Sequence, residues 1–389
     1  MPEKFHTVVV GLGAMGAASL YQLAKRGERV LGIDKYAPPH VYGSTHGDTR
    51  ITRLASGEGA EYTAFARRSH EIWRDLEKQS GQSLLVQNGL LVISGDGPRA
   101  SAHGKPAFLD ATIDAARVNN VAYSVLSEAD IRSRFSAFNI AANDRAYFEP
   151  EGGYLYPERC VELQLKLAKA HGGEIQTGET MHSFAQHSSY VEVVTDRGEY
   201  HADRLVVAAG PWLPHLLPQQ AAVFTVRRQV LYWFALEDIA TTAMYRPEAF
   251  PVFYWQLPRR QSIYGFPWIG DGEPAVKIAT EQYDTQTTAD AVERTASEAE
   301  TRATYDEYIA PFLRGVSSRA AKSAVCLYTC TGDARFVVDT LPEVSRVMVA
   351  SPCSGHGFKH SAAIGEAIAE WATFGNATTL SLEQFRFAA

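Results

Sequence analysis

The chain begins with the apolar stretch Phe5 to Val10, turns at Gly11-Leu-Gly-Ala-Met-Gly16, and continues into Ala17 to Arg26, whose spacing and composition are helical. A second strand, Arg29 to Ile33, ends in Asp34. This order of strand, glycine turn, helix, strand and acid is the tightest constraint in the sequence, because each part serves to hold a dinucleotide. Gly11 permits the tight turn, Gly13 lets the backbone approach a pyrophosphate, and Gly16 lets helix and strand pack closely. The helix N-terminus attracts the phosphates. Asp34, 18 positions beyond Gly16, can accept hydrogen bonds from an adenosine ribose.

NAD and FAD share this fingerprint, so the remainder of the chain must distinguish them. The run Arg204 to Trp212 reads as another buried strand ending in glycine. Val347 to Ala350 leads into Ser351-Pro-Cys-Ser-Gly-His-Gly-Phe-Lys359, with a helix expected over Ser361 to Phe374. Three separated returns favour FAD over a nicotinamide domain, which is usually one continuous block. The expected architecture is α/β: an FAD-binding Rossmann-like domain of discontinuous segments (1–84, 150–220 and 324–389) with an α+β substrate domain (85–149 and 221–323) built on an antiparallel sheet. Strands are expected at Gly89 to Ser94, Phe224 to Leu236, Val252 to Gln256, Ser262 to Phe266 and Ala275 to Thr280. A helical stretch is expected around Thr287 to Phe312, solvated over Thr287 to Thr304.

With 37 basic against 44 acidic residues and no long basic block, nothing points to nucleic acid. No run approaches the roughly 18 apolar residues of a membrane span. The N-terminus reads as a first strand rather than a secretory signal, and Arg386-Phe-Ala-Ala389 is not a peroxisomal tripeptide. Four cysteines (160, 326, 330 and 353) without paired spacing argue against a disulfide scaffold and against a structural metal. A cytoplasmic monomer is the expectation.

Several motifs, in order along nearly the whole chain, resemble the monomeric sarcosine oxidase and N-methyltryptophan oxidase family. They are Gly11 to Gly16; Pro38-Pro-His40 with Gly43 to Arg53; Gly57-Glu-Gly59 with Tyr62; Tyr264 to Pro267; Lys277; Cys326-Leu-Tyr-Thr329; and Ser354 to Lys359. The resemblance implies FAD, with Met15, Ser44, Thr49, Gly355, Gly357 and Lys359 beside Gly11, Gly13, Gly16 and Asp34 in its binding. It also implies a thioether from Cys326 to the flavin. On residue type alone Cys326 is a small buried hydrophobe, and Cys330 and Cys353 compete with it by position; Cys160 reads as core.

Arg50 and Arg53 lie three apart, on one face of a helix if the segment is helical, where a solvated face or an ion pair with Asp48 or Glu58 is the plain reading. The resemblance instead places Arg50 near the flavin and makes Arg53 and Lys359 a clamp for a substrate carboxylate, the kind of ligand that two cations in an apolar pocket call for. It puts His46 near the flavin, Tyr264 at the substrate, and Lys277 at the site of oxygen reduction, where its charge favours electron transfer to O₂. Alternation alone would let Lys277 face outward. His356 reads as structural. Glu281 stands where the family has a histidine near the substrate, and either contacts the substrate or faces solvent. The implied activity is oxidation of a secondary amino acid to an imine with O₂ reduced to H₂O₂. An oxidase of cyclic imino acids and a flavin-binding module without catalysis are the alternatives.

Overall fold

Two large sheets organise the computed structural model of the chain, which describes residues 3–95, 107–258, 261–270, 272–342 and 344–387. Part of the 85–149 insertion and the last two residues of the C-terminal motif lie outside the described residues. The first sheet has eight strands. Glu3–Val10 lies between Val30–Asp34 and Glu199–Val207, parallel to both, and Val344–Ser351 runs parallel to Glu199–Val207 on its far side. The contiguous apolar runs Val8 to Val10, Leu205 to Val207 and Val347 to Ala350 are buried throughout, as strands covered on both faces must be. Helices Ala14–Lys25, Pro157–Ala170 and Ser361–Phe374 share one core cluster against this sheet. The sheet therefore draws on three separated parts of the chain.

The second sheet has nine strands and is antiparallel except where Leu90–Ser94 meets Val252–Gln256. Its alternation decides the site. One face carries Val230, Tyr232, Phe234, Phe253, Trp255, Val276, Ile278, Val325 and Leu327 into a single core. The intervening residues face the other way, and cross-strand pairing brings Tyr254 beside Tyr264, Tyr264 beside Ala279, Phe266 beside Lys277, Lys277 beside Trp233, and Leu231 beside Ala324.

Three local expectations are corrected. The helix expected around Thr287 to Phe312 is confined to Glu298–Thr304, continued by one π-helical turn over Tyr305–Ile309. Before it, irregular backbone is held by arginines: Arg228 donates to the carbonyls of Glu293 and Thr295, and Arg294 to those of Ala289 and Tyr42. Side-chain donors thus replace the helical ladder there. The division at 323/324 falls within the single strand Val316–Cys330, which pairs along Thr225–Leu236, so residues 324–330 belong to the antiparallel sheet. Arg50–Thr52 is a short strand against Gly153–Leu155, so Arg50 and Arg53 do not share a helix face.

Candidate active site

A cleft of 1180 Å³ lies between the glycine turn and the inner face of the antiparallel sheet. One wall is the segment from Ser44 to Arg53. Its course is fixed from two sides: the Glu158 carboxylate, in the first turn of helix Pro157–Ala170, accepts from the amides of Gly47 (2.6 Å) and Asp48 (3.1 Å), and Lys277 Nζ donates to the carbonyls of Gly47 (2.6 Å) and Thr49 (2.7 Å). Arg50 Nη2 reaches the Ser44 carbonyl at 2.8 Å and lies 3.4 Å from Cys326 Sγ. The opposite wall is the loop from Ser351 to Lys359. At Gly357 an added Cβ would come within 1.5 Å of the Pro352 carbonyl oxygen, so only glycine closes that turn.

Arg53 and Lys359 both line the cleft, but the anion beside them belongs to the protein. Arg53 Nη2 donates to both Glu58 carboxylate oxygens (3.0 and 2.9 Å), Ser56 Oγ donates to the same carboxylate, and Lys359 Nζ lies 3.9 Å from it while donating to the His356 carbonyl at 2.7 Å. The expected pair of cations in an otherwise apolar pocket is thus corrected to a buried triad with Glu58 at its centre. Glu58 lies within the Gly57-Glu-Gly59 motif, yet its sequence gives it only as one possible partner of Arg50 or Arg53. Glu58→Gln should lower stability by about 3–5 kcal/mol in denaturant unfolding, because it leaves two buried cations without their counterion. A loss below 1 kcal/mol would show the triad to be incidental.

Burial pushes the Lys359 pKa down to about 8, with Glu58 opposing and Arg53 reinforcing the shift. Lys277 is only 2% exposed, which removes the outward-facing reading. It does not line the main cleft; it lies behind Thr49 and faces a separate side cavity shared with Asp48, Trp233 and Trp268. Thr49 borders both. Burial drives the Lys277 pKa well down, with Arg50 adding to the effect. Thr49 Oγ1 at 3.2 Å gives Lys277 Nζ a third acceptor, matching the three N–H bonds of an ammonium. His46, within the same wall, is buried and does not line the cleft; burial, then Arg50 and Lys277, push its pKa down to about 3, so its imidazole is neutral.

Tyr264 lines the cleft with its hydroxyl 3.3 Å from that of Tyr328. Glu281 lines it too and is 7% exposed, so the solvent-facing reading fails; the Tyr254 hydroxyl donates to its carboxylate at 2.8 Å. Tyr254, in a stretch that the sequence gives only as a strand of the antiparallel sheet, is a cleft residue that composition could not single out. His356 has the structural setting expected of it, stacked on Phe336 and bonded to the Ala334 carbonyl. Cys326 and Cys353 line the cleft, whereas Cys160 is sealed in the first core.

Residues 6–371 match the family described as FAD dependent oxidoreductase. The chain belongs to that family. This oxidoreductase is 35% identical over 379 residues to the monomeric sarcosine oxidase of Bacillus sp. (strain NS-129), covering 96% of this chain and 94% of the relative. It is 33% identical over 370 residues to the N-methyl-L-tryptophan oxidase of Yersinia pestis (strain Pestoides F), covering 95% of each. Two solved structures share its fold. NikD, an amino acid oxidase essential for nikkomycin biosynthesis, gives a TM-score of 0.84 at 22% identity, covering 99% of this chain and 97% of that one. L-proline dehydrogenase from P. horikoshii gives 0.78 at 20% identity with the same coverage.

The residues of this FAD-dependent oxidoreductase fit the cofactor that its family uses. A second cleft of 1080 Å³ meets the main one at Gly13, Ser44, Thr45 and Ala208 and runs to Asp34, giving a continuous path for an elongated ligand past the start of helix Ala14–Lys25. Gly16 cannot carry a side chain, since its Cβ would lie 1.7 Å from the Gly11 carbonyl oxygen. Met15 borders the main cleft and Gly11 the second. The Asp34 carboxylate braces the turn by accepting from the Leu12 amide at 2.7 Å. Ser44 lines both clefts and puts a buried hydroxyl at their junction, a polar atom placed for a ligand.

Proposed function

We propose that this oxidoreductase oxidises a secondary, N-alkyl amino acid at a C–H beside nitrogen, giving an imine that water hydrolyses, while O₂ is reduced to H₂O₂. The observation that carries the reading is the convergence on one cleft of a dinucleotide cradle, the buried cations Arg53 and Lys359, and the inner sheet face with Cys326. FAD, when bound, would supply a two-electron acceptor that O₂ can reoxidise. The chain's own residues orient the substrate and exclude water. Arg53 and Lys359 attract the substrate carboxylate, Tyr264 closes the apolar side, and Arg50 holds the Ser44 to Thr49 wall against the sheet. The reacting amine must be neutral, and Arg53, Lys359 and Arg50 together disfavour an ammonium among them. We assign no general base. Lys277 provides positive charge behind Thr49 for the reduction of O₂, with the neutral imidazole of His46 beside it. We further propose Cys326 as the covalent anchor, the parallel sheet as the cofactor unit, the antiparallel sheet as the substrate unit, and a cytoplasmic monomer as the working form. Among the described residues no helix is long and apolar enough to cross a membrane.

Anaerobic bleaching of the flavin by N-methyl amino acids, with formaldehyde released on turnover, tests this reading. Bleaching by cyclic imino acids alone, without formaldehyde, would assign the enzyme to them instead. Arg53→Met or Lys359→Met should weaken binding of a carboxylate ligand by about 1.5–3 kcal/mol while sparing a neutral analogue. Lys359 is an ammonium below its pKa of about 8, so carboxylate affinity should fall as pH rises through that value. The decline should vanish in Lys359→Met. A wild-type affinity flat from pH 6 to 10, in roughly the range a titrating lysine would control, would remove Lys359 from the clamp.

A further inference from the structure

The cleft holds more polar machinery than a carboxylate and an amine require. At the end of strand Ala275–Thr280, Glu281 is buried beside Tyr254, whose own strand pairs with that of Tyr264. The hydroxyls of Tyr254, Tyr264 and Tyr328 belong to cleft-lining residues, and burial raises the pKa of each phenol, so all three stay neutral and can both donate and accept. A carboxylate offers about four acceptor positions, and the Tyr254 hydroxyl takes one of them. An alkyl group packed against such a surface would desolvate it and return no hydrogen bond.

Charge narrows the choice. Three cations (Arg50, Arg53 and Lys359) and two carboxylates (Glu58 and Glu281) line the cleft, leaving one positive charge over. A substrate with one carboxylate and a neutral reacting amine closes that balance. A second, distal ammonium would reopen it in a buried site, where uncompensated charge is expensive.

We propose that the substrate carries a neutral hydroxyl group on the part facing Glu281 and Tyr254, so that the enzyme acts on hydroxyl-bearing N-alkyl amino acids. The inference rests on the reading of the cleft as a secondary amino acid site, and its test separates the two. Three non-oxidisable thioethers of matched length, (2-hydroxyethylthio)acetate, (propylthio)acetate and (2-aminoethylthio)acetate, are titrated into the holoenzyme by calorimetry. The hydroxyl ligand should bind about tenfold or more tightly than the propyl ligand, the scale of a hydrogen bond to a charged group, and more tightly than the amino ligand. Glu281→Gln should reduce the hydroxyl-over-propyl preference several-fold, and Tyr254→Phe provides a second variant should the first fold poorly. Equal or tighter binding of the propyl ligand overturns the proposal, and tightest binding of the amino ligand replaces it with a cationic substrate. The wild-type comparison decides this without either variant. In parallel, kcat/KM for N-(2-hydroxyethyl)glycine should exceed that for N-propylglycine. If neither glycine reduces the flavin, the secondary amino acid reading fails, while the thioether ratios still report on the subsite.

Discussion

Replacing Lys277 by Met should slow reoxidation of the reduced flavin by O₂ roughly a hundredfold or more, the usual scale for removing a preorganised charge from a site where negative charge develops. Reduction by substrate should change far less. The charge is well placed to persist: Nζ meets three oxygen acceptors on the Gly47 to Thr49 wall and lies 4.4 Å from the Phe266 ring centroid and 5.5 Å from that of Trp233. Since burial lowers its pKa below the usual 10.5, reoxidation should also slow as pH rises within the range below that value, and this dependence should disappear in the variant. Stopped-flow measurement of the two half-reactions distinguishes this from a purely architectural role. Because the same ammonium ties the wall together, equal slowing of both halves would mean that Lys277 positions the wall rather than serving O₂.

The flavin should remain with the polypeptide after acid precipitation, and Cys326→Ser should release essentially all of it or prevent its incorporation. Cys326 lies on the inner sheet face, opposite Gln229 in the register, with its sulfur 3.4 Å from both Arg50 Nη2 and the Ser44 carbonyl. Its rivals are less suited. Cys330 does not line the cleft, and burial pushes the Cys353 thiol up in pKa by more than the Thr329 amide, donating to its sulfur at 3.3 Å, pulls it down. A thioether needs a sulfur that can attack, and a thiol held protonated attacks poorly. Free flavin in the supernatant of fully loaded wild-type protein would dismiss covalent attachment. Release by Cys353→Ser but not Cys326→Ser would move the anchor across the cleft.

Local chemistry made the cofactor domain readable from sequence. Strand, glycine turn and helix from Phe5 to Arg26 is written in consecutive residues, and Gly16 is required by the backbone of its own turn, its Cβ falling 1.7 Å from the Gly11 carbonyl oxygen. The strands at Val252–Gln256 and Ala275–Thr280 were equally legible as short runs rich in β-branched, aromatic and aliphatic residues, and both are buried throughout. The helix expected around Thr287 to Phe312 was not, since Arg228 reaches its carbonyls from a strand some 60 positions away, which no local propensity reports.

The sequence by itself determined the dinucleotide fingerprint and the return of the chain in separated segments. Only the tertiary structure decided how those residues are partnered. Lys277 reads from sequence as either outward or buried, and is found buried with its Nζ bonded to acceptors that the Gly47 to Thr49 wall supplies. Arg53 and Lys359 read as a clamp awaiting an anion, and are found sharing Glu58. Glu281 reads as solvent-facing or substrate-facing, and is placed in the cleft by the Tyr254 hydroxyl and by pairing with Ser262 across the strand end. The physical reason is common to all three. Residue type and spacing fix what a side chain can donate or accept, but whether water or another side chain meets that demand depends on chain segments brought together only by folding.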